Sequence, residues 1–224
     1  MTGFRLPRRL SPGPGRRHRV AIIALIILAA TAIGGYLGLA GPGAGLPGTV
    51  PVVGSAIGGP FTLVDDHGRT VHDTDYRGKI LLLYFGYSFC PDLCPTALQT
   101  MAQTLSLLAD DAATVQALFI TVDPGRDTPE KLSDYVHQFD PRLIGLTGDS
   151  RQIAAVTAAY HVQFTKVDGN DPATYLVDHS SFFYVTDADG KFAAMLESQA
   201  TPDQIAAVIR AQRRNPVHRA SGDP

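Results

Sequence analysis

The sequence predicts an α/β domain, and three observations lead there. Two short apolar runs, 79–85 (KILLLYF) and 115–122 (VQALFITV), read as strands covered on both faces. Between and after them, apolar residues recur at helical spacing. Near the C-terminus two more apolar runs flank 187–190 (DADG), a hairpin signal.

Taken in order, 61–64 and 70–72 flank the turn Asp65-Asp66-His67-Gly68 and read as an N-terminal hairpin. The strand 79–85 follows, then a helix over 95–108 with Leu98, Met101, Ala102, Leu105 and Leu108 on one face. After the strand 115–122, Thr128-Pro129-Glu130 starts a helix, with Thr as cap and Pro in the first turn. Leu132, Tyr135, Val136 and Phe139 mark its apolar face. A short strand is expected at 143–146, and Asp149 or Ser150 can cap a helix carrying Ile153, Val156 and Tyr160. The strands 181–185 and 191–196 form the second hairpin, and Thr201-Pro202 opens a last helix through Ile205, Val208 and Ile209. Strand–helix–strand order followed by a hairpin and a helix fits a thioredoxin-like sandwich with an added N-terminal β-hairpin.

Ahead of this domain, residues 1–19 hold six arginines and no acid, a basic tail expected in the cytoplasm. Residues 20–40 contain no charge over 21 positions, enough for one transmembrane helix. The alternative is a cleaved signal peptide, with Ala30-Thr31-Ala32 as a cleavage-like site, but the apolar run continues past it. No cysteine lies nearby, which excludes an anchor at a lipidated cysteine. Residues 41–58 are rich in Gly and Pro and read as a tether, 59–213 as the domain, and 214–224 as a flexible tail. The location expected is a bacterial cell membrane, crossed once, with the domain on the extracytoplasmic side. Beyond residue 19 the chain carries 13 basic and 21 acidic side chains, which argues against nucleic acid as a partner of the folded part.

The chain has two cysteines, Cys90 and Cys94, four residues apart where a buried strand runs into a helix. That placement points to metal or redox chemistry rather than packing. The helix N-terminus favours thiolates, and a four-residue helical spacing returns both sulfurs to one face. A structural disulfide closing so short a loop would constrain the unfolded chain little. Soft Cu(I) prefers thiolates and accepts imidazole. A site built mainly of methionine is excluded, because Met1, Met101 and Met195 do not cluster. Of seven histidines, His179 is the candidate third ligand, since Asp178-His179-Ser180-Ser181 is a polar turn entering an apolar strand. By spacing alone a histidine at a strand entrance is more often structural. Asp123 follows a buried strand and is expected to approach the cysteines, where its role would be to orient a group behind the ligands or a partner contact. General rules better support a turn at Asp123-Pro124, with Arg126 and Asp127 as a surface ion pair. Asp92, between the cysteines, is expected to do no more than tune the thiolates.

Three separated segments then carry a family resemblance. FGYSFCPDLCP at 85–95, VDPGRDTP at 122–129 and Asp178-His179-Ser180-Ser181 before an aromatic strand resemble motifs of the Sco/SenC proteins. Gly59-Pro60-Phe61-Thr62-Leu63 and Tyr76-Arg77-Gly78-Lys79 resemble the opening hairpin of that family. The likeness covers roughly 55–210. It implies that Cys90, Cys94 and His179 bind one copper ion per chain, as Cu(I), Cu(II) or both. It also implies a chaperone that helps assemble the binuclear copper site of cytochrome c oxidase, with subunit II or another copper-accepting protein as recipient. A copper donor and a thiol reductant are further implied partners. The competing reading is a thiol–disulfide oxidoreductase with Cys90 and Cys94 as its catalytic redox pair. Against it stand the third ligand, which disulfide exchange does not need, and a spacing unlike Cys-x-x-Cys. A thiol peroxidase would need a peroxide pocket around one attacking cysteine, and the sequence identifies none.

Overall fold

The computed structural model describes residues 57–167 and 175–214. The expected anchor at 20–40, the basic tail at 1–19, nearly all of the tether and all but the first residue of the C-terminal tail lie outside the described residues. Among the described residues no helix is long and apolar enough to cross a membrane.

Among the described residues there are nine strands and four α-helices. The strands are β1 (Thr62–Asp65), β2 (Thr70–His72), β3 (Ile80–Gly86), β4 (Val115–Thr121), β5 (Leu143–Thr147), β6 (Phe164–Val167), β7 (Leu176–His179), β8 (Phe182–Thr186) and β9 (Phe192–Glu197). The helices are α1 (Leu93–Leu108), α2 (Pro129–Val136), α3 (Ser150–Ala159) and α4 (Pro202–Arg214). Seven strands form one sheet in the order β2-β1-β5-β4-β3-β8-β9. Its centre, β3, β4 and β5, is parallel, with Leu83 beside Leu118 and Leu118 beside Ile144. β1 and β2 pair antiparallel around the turn at Gly68, whose φ of +78° is open to glycine at no steric cost, and β1 joins the edge at β5.

The centre is buried because its strands are predominantly apolar. Every residue of β3 is buried, and in β4 only Gln116 is partly open. One face of α1 supplies Cys94, Ala97, Leu98, Met101, Leu105 and Leu108 to the same core. Sequence signals set the helix starts. Thr128 Oγ1 accepts from the Lys131 N–H with Pro129 just inside the helix. Asp149 accepts from the Arg151 and Gln152 N–H groups while Gln152 returns to the Asp149 N–H. α2 ends at Val136, so Phe139 packs from beyond the helix rather than from its face.

One pairing was not foreseen. β6 and β7 form a separate two-stranded antiparallel sheet, Phe164 opposite His179. His179 is therefore the last residue of a strand, not part of a turn.

Candidate metal centre

β3 ends at Gly86, and the chain turns through Tyr87, Ser88 and Phe89 to bring the Cys90 N–H to the Tyr87 carbonyl at 3.2 Å. α1 begins only at Leu93, with Asp92 at its N-cap making no side-chain cap bond. Cys90 thus lies on the loop before the helix and Cys94 in its first turn. The loop, not a shared helical face, brings the two sulfurs together. Both cysteines are free; Cys94 is buried and Cys90 half-buried. The close approach needs glycine at 86: a Cβ there would stand 2.6 Å from Cys94 Sγ and 2.9 Å from a Phe119 ring carbon.

The third group arrives from β7. His179 Nε2 lies 3.6 Å from Cys94 Sγ. The other ring nitrogen, Nδ1, sits 3.1 Å from the Ser180 carbonyl, where an Nδ1–H donates and leaves the Nε2 lone pair facing the sulfurs. The ring is held edge-on by Tyr84 and Tyr87, with centroids 6.4 and 5.9 Å away. Among the described residues, Cys90, Cys94 and His179 are the set whose potential ligand atoms all lie within 4.8 Å of one another. Two sulfurs and an imidazole nitrogen form a soft donor set that fits copper.

The sulfurs divide their charge unequally. A hydrogen bond from the Cys94 thiol holds Cys90 down to about 3 against the opposing effect of burial, with smaller help from the backbone N–H groups of Asp92 and Cys94. Donating that bond pushes the Cys94 thiol up, and burial pushes it further. The more open sulfur is therefore the thiolate.

Around these groups the structure revises one expectation, the surface pair of Arg126 and Asp127. Asp123 is almost wholly buried, and its carboxylate is engaged. Arg126 Nε donates to Oδ2, and the Tyr175 hydroxyl donates to Oδ1 at 2.5 Å. Arg126 and Asp127 are not a surface pair: Arg126 bonds Asp123, and Asp127 is 1 % exposed. Asp127 accepts from Ser88 N–H at 3.0 Å, Ser88 Oγ at 2.5 Å and Thr121 Oγ1 at 2.6 Å, which ties the cysteine loop to the end of β4. Tyr87 and Tyr175 were not given a role from sequence, and Asp127 was read only as half of a surface pair with Arg126.

The remaining described histidines lie elsewhere. His72 Nδ1 meets Thr62 Oγ1 at 3.0 Å, and His137 Nε2 stands 3.4 Å from Asp66 Oδ2. A cavity of about 670 Å³ opens beside Asp66, His67 and His137 at the N-terminal ends of β4 and β5, away from the three candidate ligands.

Fold and site together define a thioredoxin-like α/β domain with a two-thiol, one-imidazole centre at the carboxyl end of its central strands. Comparison with known proteins agrees. The SCO1/SenC family model matches residues 51–213. SenC of Rhodobacter capsulatus is 43% identical over 150 residues, covering 67% of each chain. An SCO2-like protein of Rickettsia felis is 36% identical over 190 residues, 84% of this chain and 93% of that one. Among solved structures, copper-bound ScoI of Bradyrhizobium japonicum is 43% identical with a TM-score of 0.66, covering 70% of this chain and 99% of that one. Copper-bound yeast Sco1 is 34% identical with a TM-score of 0.68, covering 75% and 96%. The chain belongs to the SCO1/SenC family.

Proposed function

We propose that this chain binds one copper ion through Cys90, Cys94 and His179 and passes it to a copper-accepting protein, the binuclear site of cytochrome c oxidase subunit II. The observation that carries the reading is the convergence of these three donors within 4.8 Å. Related structures that hold copper support the choice of metal. The acceptor rests on the family, whose members include one described as belonging to the cytochrome c oxidase assembly proteins.

The ligands divide the work. Cys90, half-buried and already a thiolate, is the donor a partner's ligand reaches first. Cys94 is sealed under β3 and stays with the fold. His179 stands on a hairpin outside the main sheet, so its nitrogen is the ligand whose release disturbs the core least. Such a set favours stepwise exchange over irreversible storage.

The nearness of the two sulfurs also favours a second reading, thiol–disulfide exchange. Cys90 would attack a partner's disulfide and Cys94 would resolve the mixed disulfide, leaving Cys90–Cys94 oxidised and the partner reduced. Oxidation removes both sulfur donors, so redox state gates copper binding in either reading.

The domain is held outside the cytoplasm by the uncharged segment at 20–40, a reading supported by the six arginines before it. Protease added to spheroplasts should remove the domain and leave a short anchor; resistance until lysis would refute this topology. The function is tested by complementing a deletion strain with His179→Ala under limiting copper. That variant keeps both thiols and should fail to restore oxidase activity. Full restoration would favour thiol exchange.

A further inference from the structure

His179 is carried by a hairpin that the main sheet does not hold. β6 and β7 pair only with each other. A lone two-stranded hairpin is marginal in water, so side chains must fix it over the sulfurs. One tie is direct: the Val177 N–H donates to the Tyr87 hydroxyl at 3.1 Å, three residues before Cys90.

The other tie centres on Arg126. Its Nη1 donates to the Tyr175 carbonyl at 2.9 Å, immediately before β7. Its guanidinium lies 3.7 Å from the centre of the Tyr175 ring, 4.9 Å from that of Phe89 and 5.7 Å from that of Tyr87. Its Nε donates to Asp123, which also accepts from the Tyr175 hydroxyl. One planar cation therefore joins three segments: the loop after β4, the loop bearing Cys90, and the strand bearing His179. The Arg126 side chain is 16% exposed, so these contacts are shielded from competing water.

We propose that Arg126 and Tyr175 form a latch that positions His179 over Cys90 and Cys94, and that the imidazole's share of copper affinity depends on it. This rests on the three-ligand reading above. Neither residue belongs to the three converging donors; both act through the placement of β7. Residues that orient metal ligands typically carry about 10- to 100-fold in affinity. A lysine at 126 keeps the charge but cannot bond Asp123 and the Tyr175 carbonyl in one plane while stacking on the ring. A long-range charge effect on the thiolates, by contrast, would not need His179 and would be satisfied by lysine.

The test is a double-mutant cycle on the full chain in detergent. Arg126→Met, Arg126→Lys and Tyr175→Ala are each made with and without His179→Ala. Copper affinity is read by competition with a chromogenic Cu(I) chelator and by Cu(II) titration. Far-UV circular dichroism checks folding, and Tyr175→Ala carries the test if the Arg126 variants unfold. Arg126→Met and Tyr175→Ala are expected to weaken binding about 10-fold or more when His179 is present, and less than about 2-fold when it is absent. Lysine at 126 should not restore affinity. Equal losses in both backgrounds, no loss in either, or full rescue by lysine would overturn the latch. Failure of the three-ligand reading shows separately, as copper binding that survives Cys90→Ser and Cys94→Ser.

Discussion

Replacing Gly86 by alanine adds one methyl group where β3 meets the cysteines. The new Cβ would lie 2.6 Å from Cys94 Sγ and 2.9 Å from Phe119 Cε2. Ordinary contact begins at 3.4 Å, so something must retreat by about 0.8 Å on the sulfur side. Phe119 is fully buried between neighbouring strands and has little room to yield. The sulfur is the softer neighbour, because it borders the metal site. Overpacking a well-filled core costs about 1–3 kcal/mol. The backbone entropy gained on replacing glycine recovers about 0.4–1 kcal/mol, so the net sign is destabilising. For a domain of this size each kcal/mol moves Tm by about 2–4 °C, which predicts a loss of a few degrees. Thermal unfolding of the reduced, metal-free chain followed by circular dichroism reads that shift. Cu(I) competition should show weakened binding in the same variant, because the displaced atom belongs to the proposed ligand set. An unchanged or raised Tm together with unchanged copper affinity would refute the crowding argument.

Three further outcomes follow from the structure. Asp127→Ala removes the acceptor shared by Ser88 and Thr121 and should cost at least about 1.5–3 kcal/mol, read as a lower urea midpoint at constant m-value. Leu98→Ala opens the fully buried face of α1 and should cost about 2–5 kcal/mol by the same assay. In the reduced, metal-free chain, iodoacetamide should label Cys90 and spare Cys94. Because the Cys90 pKa is depressed, to about 3, its thiolate persists on acidification, and the labelling rate should be nearly flat between about pH 5 and 8. A rate rising about tenfold per pH unit across that window would contradict the charge assignment.

The parts legible in the sequence were those with a local cause. β3 and β4 announce themselves as short apolar runs, and the Thr128 and Asp149 caps mark helix starts within a residue. The three converging donors were legible for a different reason: the two cysteines are the only ones in the chain, and His179 stood in a recognisable motif. What remained hidden depends on partners distant in the chain. β6 lacks a clean alternation, since Thr165, Lys166 and Val167 are all exposed. Asp127 looks like a surface acid until Ser88, 39 residues away, is folded against it. Arg126 chooses Asp123 over its neighbour Asp127 because Asp127 is drawn inward by Thr121 and Ser88. Convergence of the sulfurs was anticipated, but from the wrong geometry: a loop before α1 supplies Cys90, not a second helical turn.

The central claim is that Cys90, Cys94 and His179 hold one copper ion, and a Cu(I) titration of the reduced chain against a competing chromogenic chelator tests it most directly. The wild-type chain should saturate at about one copper, Cys90→Ser and Cys94→Ser should each lose tight binding, and His179→Ala should bind more weakly with both thiols intact. Saturation at one copper with wild-type affinity in both serine variants would contradict the account.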